Sequence, residues 1–149
     1  MSLLKSIVTV IAVIMLAGCV TTITDQTYSA LSSVKVSAKE GRAEQLFQKE
    51  MNRLIKPDDT NQYDLSVQIS SSRGSNSMAM TINYTLYDQS QGKIVVKKSV
   101  SSSASIGAVS SEFGEEQAFI HAEERLSINL AQKIYQRLMV YFGQQHQAS

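Results

Sequence analysis

Few residues of this chain have the type and spacing that chemistry requires, and Cys19 is the first of them. It is the only cysteine among 149 residues, so the chain offers it no partner for a disulfide or a thiolate metal site. A nucleophilic cysteine needs a nearby base, and both histidines, His121 and His146, lie far downstream. The spacing therefore does not favour catalysis by Cys19.

The other reactive groups do not form a recognisable site either. Glu115-Glu116 and Glu123-Glu124 flank His121 on a segment with helical periodicity, where such charges normally face water. Serines cluster at 101–105 without the G-x-S-x-G elbow of hydrolases. Gly92-Lys93 lacks the rest of a phosphate-binding loop. We expect no enzymatic activity, no bound metal and no cofactor.

The surroundings of Cys19 indicate export and lipid attachment. Lys5 precedes the apolar run 7–16, which is shorter than the about 20 residues that a membrane-spanning helix needs. A basic start, an apolar core and small residues before a processing point are typical of a secretory signal. Leu16-Ala17-Gly18-Cys19 resembles the lipobox of bacterial lipoproteins, in which the cysteine is lipidated and becomes the new N-terminus. A transmembrane anchor and a buried core helix are the alternatives.

The N-terminal pattern divides the chain into four parts. We expect a signal peptide at 1–18, a lipidated N-terminus and polar tether at 19–30, one domain at 31–143 and a polar tail at 144–149. Removing Lys5 with the signal leaves 13 basic and 13 acidic residues, a net charge of zero, which disfavours nucleic-acid binding. Val20, in place of an aspartate, suits attachment to the outer membrane on its periplasmic side.

Hydrophobic periodicity predicts six secondary-structure elements in the domain. Segments 42–55 and 112–142 repeat apolar residues at helical spacing, and Pro57 ends the first of them. The other segments read as strands, because apolar and polar residues alternate in the longer ones. The order β-α-β-β-β-α predicts an α+β two-layer sandwich, a mainly antiparallel sheet with two helices on one face. The predicted strands are 34–36, 63–70, 78–87 and 93–106, with a loop at 71–77.

The same alternation predicts which side chains enter the core. In the last strand the inner set would begin at Ile94 and continue through Val96, Val100, Ala104 and Ile106. The opposite face of the sheet is rich in Ser, Thr, Gln and Asn, so it is either wet or available to a polar partner. The predicted centre of the core comprises Leu65, Val67, Ile82, Leu86, Leu126, Leu130 and Ile134.

Several motifs in this order resemble the LptE family of lipopolysaccharide-assembly lipoproteins, especially its alphaproteobacterial branch. The lipobox and the short first strand are part of this resemblance, which covers residues from about 34 to 142. The motifs are Gly-Arg-Ala-Glu-Gln-Leu at 41–46, Tyr-x-Leu-x-Val at 63–67, Tyr-x-Leu-Tyr-Asp-x-x-x-Gly-Lys at 84–93, and Ala-Glu-Glu-Arg, Leu-Ala-Gln-Lys-Ile and Arg-Leu between 122 and 138.

The resemblance implies a lipid-anchored protein that plugs the outer-membrane barrel LptD and assists lipopolysaccharide transport to the outer leaflet. Lipopolysaccharide is anionic, so basic side chains would provide charge-assisted contacts. The candidates for contact with lipopolysaccharide or the partner are Arg73, Lys97 and Lys98. The alternative is a generic outer-membrane lipoprotein that binds amphiphiles or cell-wall components on its own.

Overall fold

Seven elements make up the part of the chain that the structure, a computed structural model, describes: residues 25–107 and 111–147. In chain order they are α1 Asp25–Ser32, β1 Val34–Ala38, α2 Arg42–Ile55, β2 Tyr63–Arg73, β3 Ser77–Asp88, β4 Lys93–Ser105 and α3 Glu112–Gln147.

The strands form one sheet in the order β1-β2-β3-β4. β1 lies parallel to β2, whereas β2–β3 and β3–β4 are antiparallel. Helices cover one face of this sheet, so the predicted α+β two-layer sandwich and its β-α-β-β-β-α order are confirmed. The structure adds α1 in front of the predicted elements.

Strict alternation of side chains is what gives the sheet one buried face. Along β3, Met78, Met80, Ile82, Tyr84 and Leu86 are all buried, while the residues between them are exposed or half-buried. Successive side chains of a strand point to opposite faces, so this pattern fixes the register against the helices. The seven residues predicted as the centre of the core are all buried, which confirms that prediction: Leu65, Val67, Ile82, Leu86, Leu126, Leu130 and Ile134.

A buried carboxylate joins the two long helices. Glu50 of α2 accepts hydrogen bonds from Arg53 at 2.8 Å and 2.7 Å and from Gln132 of α3 at 3.2 Å. The bond from Arg53 holds the pKa of the Glu50 carboxyl below its usual value, although burial acts in the opposite direction. The negative charge of Glu50 is therefore paired and hydrogen-bonded, as a nearly buried charge must be.

The predicted polar tether contains a helix in its second half. Residues 25–30, assigned to the tether, form most of α1, whose Thr27 and Leu31 are buried. α1 is short and mostly polar, so its own sequence pattern is weak, and burial of a few side chains against the other helices supports it. In the segment predicted as a polar tail, α3 continues to Gln147.

Ile94 is the one misplaced member of the predicted inner set of β4. It is 56% exposed, because the register between β3 and β4 shifts at a bulge beside Leu86 and Tyr87. Leu86 pairs with Val96 and Tyr87 pairs with Ile94, so Val95 is the extra residue. An extra residue reverses the faces on one side of a bulge, and Ile94 therefore points outward with Tyr87.

Some predictions fall outside the described residues. The signal peptide at 1–18, the lipidation residue Cys19 and the first part of the tether all precede Asp25. Within 25–107 and 111–147, no helix is both long and apolar enough to cross a membrane.

Candidate binding surface

The face of the sheet opposite the helices is open and polar. We call it the open sheet face and define it by alternate residues of β2, β3 and β4. All of these side chains are exposed or half-buried, and the pairing of the strands aligns them in cross-strand rows. Hydroxyl and amide groups dominate the face, so it can offer many hydrogen bonds to a polar partner. Its members are Ser66, Gln68, Ser70, Thr81, Asn83, Thr85, Lys97, Ser99, Ser101 and Ser103.

Arg73 is not a free cation in a loop. It is the last residue of β2, and its guanidinium donates hydrogen bonds to both carboxylate oxygens of Glu116 on α3, at 2.8 Å and 3.2 Å. The same group lies over the ring of Phe119, 4.7 Å from its centroid. Arg73 therefore links the sheet to the start of α3, and these contacts compete with any ligand.

We predict that Arg73→Glu lowers the Tm by a few degrees at low salt, because it places two carboxylates face to face. The effect should be small, since both side chains are about half exposed and exposed ion pairs contribute little. The exchanged variant Arg73→Glu/Glu116→Arg should recover most of the loss. If the double variant lost as much stability as the two single variants together, the two side chains would not interact.

The two candidate lysines lie on different sides of β4. Lys97 pairs with Thr85 and belongs to the open sheet face, whereas Lys98 pairs with the buried Tyr84 and lies on the helix side. Arg73 is far from both lysines. Ser66 lies in the same cross-strand row as Lys97, and it is seven residues from Arg73 along β2, a distance of about 23 Å. The structure thus brings none of the three candidates together, and only Lys97 lies on the open sheet face.

A groove of about 660 Å³ lies at one end of the domain. We call this the Tyr63 end: here β1 and β2 begin, β3 turns into β4, and α3 approaches its C-terminus, with the Tyr63 and Phe142 rings 5.0 Å apart. The groove lining combines amides, hydroxyls, Asp58, Asp88 and Lys93. Among the described residues, no three His, Cys, Asp or Glu side chains are grouped as metal ligands.

Both acids of this groove already have structural partners. Asp58 accepts hydrogen bonds from Ser32 at 2.8 Å and from the backbone of Thr60 at 2.9 Å. Asp88 is buried and accepts hydrogen bonds from the Ser90 hydroxyl at 2.6 Å and from the backbone N–H groups of Ser90 and Gln91. These hydrogen bonds hold the turns that follow the two carboxylates in place.

We predict that Asp88→Ala destabilises the domain by about 1–3 kcal/mol at neutral pH, the usual cost of losing hydrogen bonds at a buried group. Burial opposes ionisation of Asp88, but the bonds from Ser90 and Gln91 outweigh it, so its pKa is lowered. A carboxyl with a lowered folded-state pKa stabilises the fold above about pH 4, and this contribution is lost as the pH falls through the folded-state pKa.

The penalty of Asp88→Ala should therefore shrink in acid, which urea unfolding at pH 7 and pH 3 would measure. Gln89→Ala, in the same turn but exposed, is the control and should change stability by less than about 0.5 kcal/mol. A penalty for Asp88→Ala that does not depend on pH would contradict the role of its charge.

The fold is shared with solved structures of bacterial proteins. A putative lipoprotein from Caulobacter crescentus matches with 20% identity and a TM-score of 0.69, over 80% of this chain and 96% of that one. A minor lipoprotein from Acinetobacter baumannii matches with 14% identity and a TM-score of 0.56, over 72% and 92%. No protein-family model and no curated protein matches the sequence. These likenesses show the α+β fold, which is thus one found in proteins described as lipoproteins.

Proposed function

We propose that this protein is a lipoprotein of the outer membrane that acts by binding and not by catalysis. Lipid on Cys19 attaches it to the periplasmic side of the membrane, and the domain occupies part of the lumen of an LptD-type β-barrel. In that position it assists the passage of lipopolysaccharide to the outer leaflet. The lipobox supports the anchor, and the fold shared with two proteins described as lipoproteins agrees with it.

The observation that carries the proposal is the open sheet face. Residues on it such as Gln68, Thr81, Asn83 and Ser101 leave hydrogen-bonding groups in solvent across three strands. The interior of a membrane barrel is polar, so a protein that sits against it needs hydrogen-bonding side chains more than an apolar patch. The helices cover the opposite face of the sheet and bury the domain's own core there, so the polar face is the one left for the barrel.

The dimensions of the domain restrict the kind of barrel that would accept it. Four strands at spacings of about 4.8 Å and a layer of helices give a cross-section of roughly 15–20 Å before side chains are counted. An eight-stranded barrel is filled by its own side chains, whereas barrels of about 16 strands or more enclose a channel or a plug. The partner is therefore a large barrel.

Co-purification tests the proposal directly. The lipidated protein carrying a C-terminal affinity tag would be extracted from its own cells in mild detergent, and the proteins retained with it would be identified. We expect one large β-barrel protein in near-equal amount. Recovery of the lipoprotein alone would overturn the barrel proposal and favour a lipoprotein that binds amphiphiles or cell-wall components by itself.

Lys97 and Lys98 provide a matched pair for direct contact with lipopolysaccharide. Lys97→Glu places a negative charge on the open sheet face, whereas Lys98→Glu makes the same change on the other side of the same strand. If the face meets the anionic lipid, Lys97→Glu should reduce retention of purified lipopolysaccharide several-fold, and Lys98→Glu should have a smaller effect. Equal effects of the two variants would remove this face from lipopolysaccharide contact.

A further inference from the structure

The large apolar side chains that remain exposed are concentrated at the Tyr63 end. Four of the five found among the described residues lie there: Tyr28 at 51% exposure, Tyr87 at 36%, Ile94 at 56% and Val140 at 59%. The fifth, Phe113, lies near the start of α3, at the other end of the domain. Contiguous exposed apolar side chains, unlike scattered ones, mark contact surfaces, and Tyr87 and Ile94 are neighbours across two strands.

Tyr87 and Ile94 form a pair that the backbone directs outward. They are cross-strand partners at the β3–β4 bulge, and the bulge is the reason that Ile94 leaves the core. Beyond Thr85 and Lys97, the next outward-facing row consists of the half-buried Asp64 of β2 with Tyr87 and Ile94. The apolar pair therefore lies at the end of the polar face, with one carboxylate beside it.

The length of the chain that precedes α1 limits the distance between this end and the lipid. If Cys19 carries the lipid, six residue steps connect it to Asp25, and six steps span at most about 22 Å. α1 leads directly into β1 at the Tyr63 end. The β2–β3 turn after Arg73 is ten residue steps from Tyr63 along β2, which is about 33 Å. The short connection therefore favours the Tyr63 end as the part of the domain nearest the membrane.

The chemistry of this end suits the headgroup region of a phospholipid bilayer. Tyrosine is enriched at membrane interfaces, where its ring meets apolar material and its hydroxyl meets water, and Tyr28 and Tyr87 are available for this. Lys93 lies next to Ile94 at the start of β4 and can extend its charge toward phosphates. Asp58 and Asp59 stand on the neighbouring loop and Asp64 lies beside Tyr87. These acids outnumber Lys93, so a zwitterionic surface fits better than a strongly anionic one.

We propose that the Tyr63 end, through Tyr87, Ile94 and Tyr28, rests on the headgroups of the leaflet that holds the lipid anchor. The contact fixes the orientation of the domain, with the Arg73–Glu116 pair directed away from that leaflet. This orientation is that of the lipidated protein before it joins a barrel, so it rests on the lipid anchor of the proposed function and does not depend on the barrel. An alternative occupant of the same surface, the rim of a barrel, becomes an outcome of the test.

The test places one fluorescent label at either end of the lipidated protein. In that protein the thiol of Cys19 is consumed by the lipid, so Ile94→Cys and Ser75→Cys each introduce a single reactive thiol. Ser75 is exposed in the β2–β3 turn and is the matched control. Each labelled protein is reconstituted without any barrel into vesicles of zwitterionic phospholipid that contain a nitroxide headgroup quencher.

We expect several-fold stronger quenching and a blue-shifted emission at position 94 relative to position 75. Equal quenching at both positions, stronger quenching at 75, or no quenching at either would overturn the orientation. With no quenching at either position, the occupant of this surface would be a protein such as the barrel rim. Mass spectrometry of the same samples separates the two proposals. A chain without the lipid mass refutes the anchor and this inference together, whereas a lipidated chain with the wrong quenching pattern refutes this inference alone.

Discussion

Replacing Cys19 with serine should release the protein from the outer membrane. If Cys19 is lipidated as proposed, the lipid is bonded to the cysteine sulfur, and a serine hydroxyl in its place cannot form the same thioether. The mature lipoprotein would carry a diacylglycerol and an N-linked acyl chain such as palmitate, and this exceeds the two signals that stable anchoring requires. Cys19→Ser should therefore remain unprocessed or appear in the soluble fraction, as membrane fractionation and immunoblotting would show.

The neighbouring substitution Val20→Ala is the control for this experiment. It changes the residue after the lipidation site but leaves the sulfur in place, so it should fractionate with the outer membrane like the unchanged protein. Cys19→Ser at the mature size in the outer-membrane fraction would contradict the lipobox interpretation.

Replacing Leu130 with alanine should produce a large loss of stability. Leu130 is fully buried in the core between the sheet and the helices. Truncation removes its burial and leaves a cavity, and such changes cost about 2–5 kcal/mol. For a domain of this size that loss corresponds to a fall in Tm of roughly 8–20 °C, which thermal unfolding followed by circular dichroism would detect.

Val140→Ala is the matched control on the same helix. Val140 is 59% exposed, so its truncation should change the free energy of unfolding by less than about 0.5 kcal/mol. If both variants unfolded at the temperature of the unchanged domain, the assignment of Leu130 to the core would be wrong.

The sequence predicted the architecture well because the buried faces have strong periods. In β3 every second residue is apolar, and in α3 the apolar residues recur at helical spacing, so each pattern identifies the same core. α1 was missed because its eight residues are mostly polar and its pattern is too weak to identify a helix. Its formation depends on burial of Leu31 against residues that are distant in sequence, which local patterns do not contain.

The details of the surface were less predictable, and two residues show why. Arg73 pairs with a glutamate 43 positions later in the chain, a contact that only the tertiary fold creates. Ile94 fits an alternating pattern, but one extra residue in β4 turns it outward. The consecutive apolar residues Ile94, Val95 and Val96 were a local sign of a bulge, because an alternating strand with one wet face would not contain three in a row.

The open sheet face is the centre of this account, and crosslinking from it tests the account most directly. A photo-reactive amino acid would replace Asn83, in the middle of the open sheet face, and in a second strain Gln136, which is exposed on α3. Irradiation of living cells followed by affinity purification would show which position reacts with a large β-barrel protein. We predict a barrel adduct from position 83 at several-fold higher yield than from position 136. No adduct from position 83, with or without one from position 136, would contradict the account.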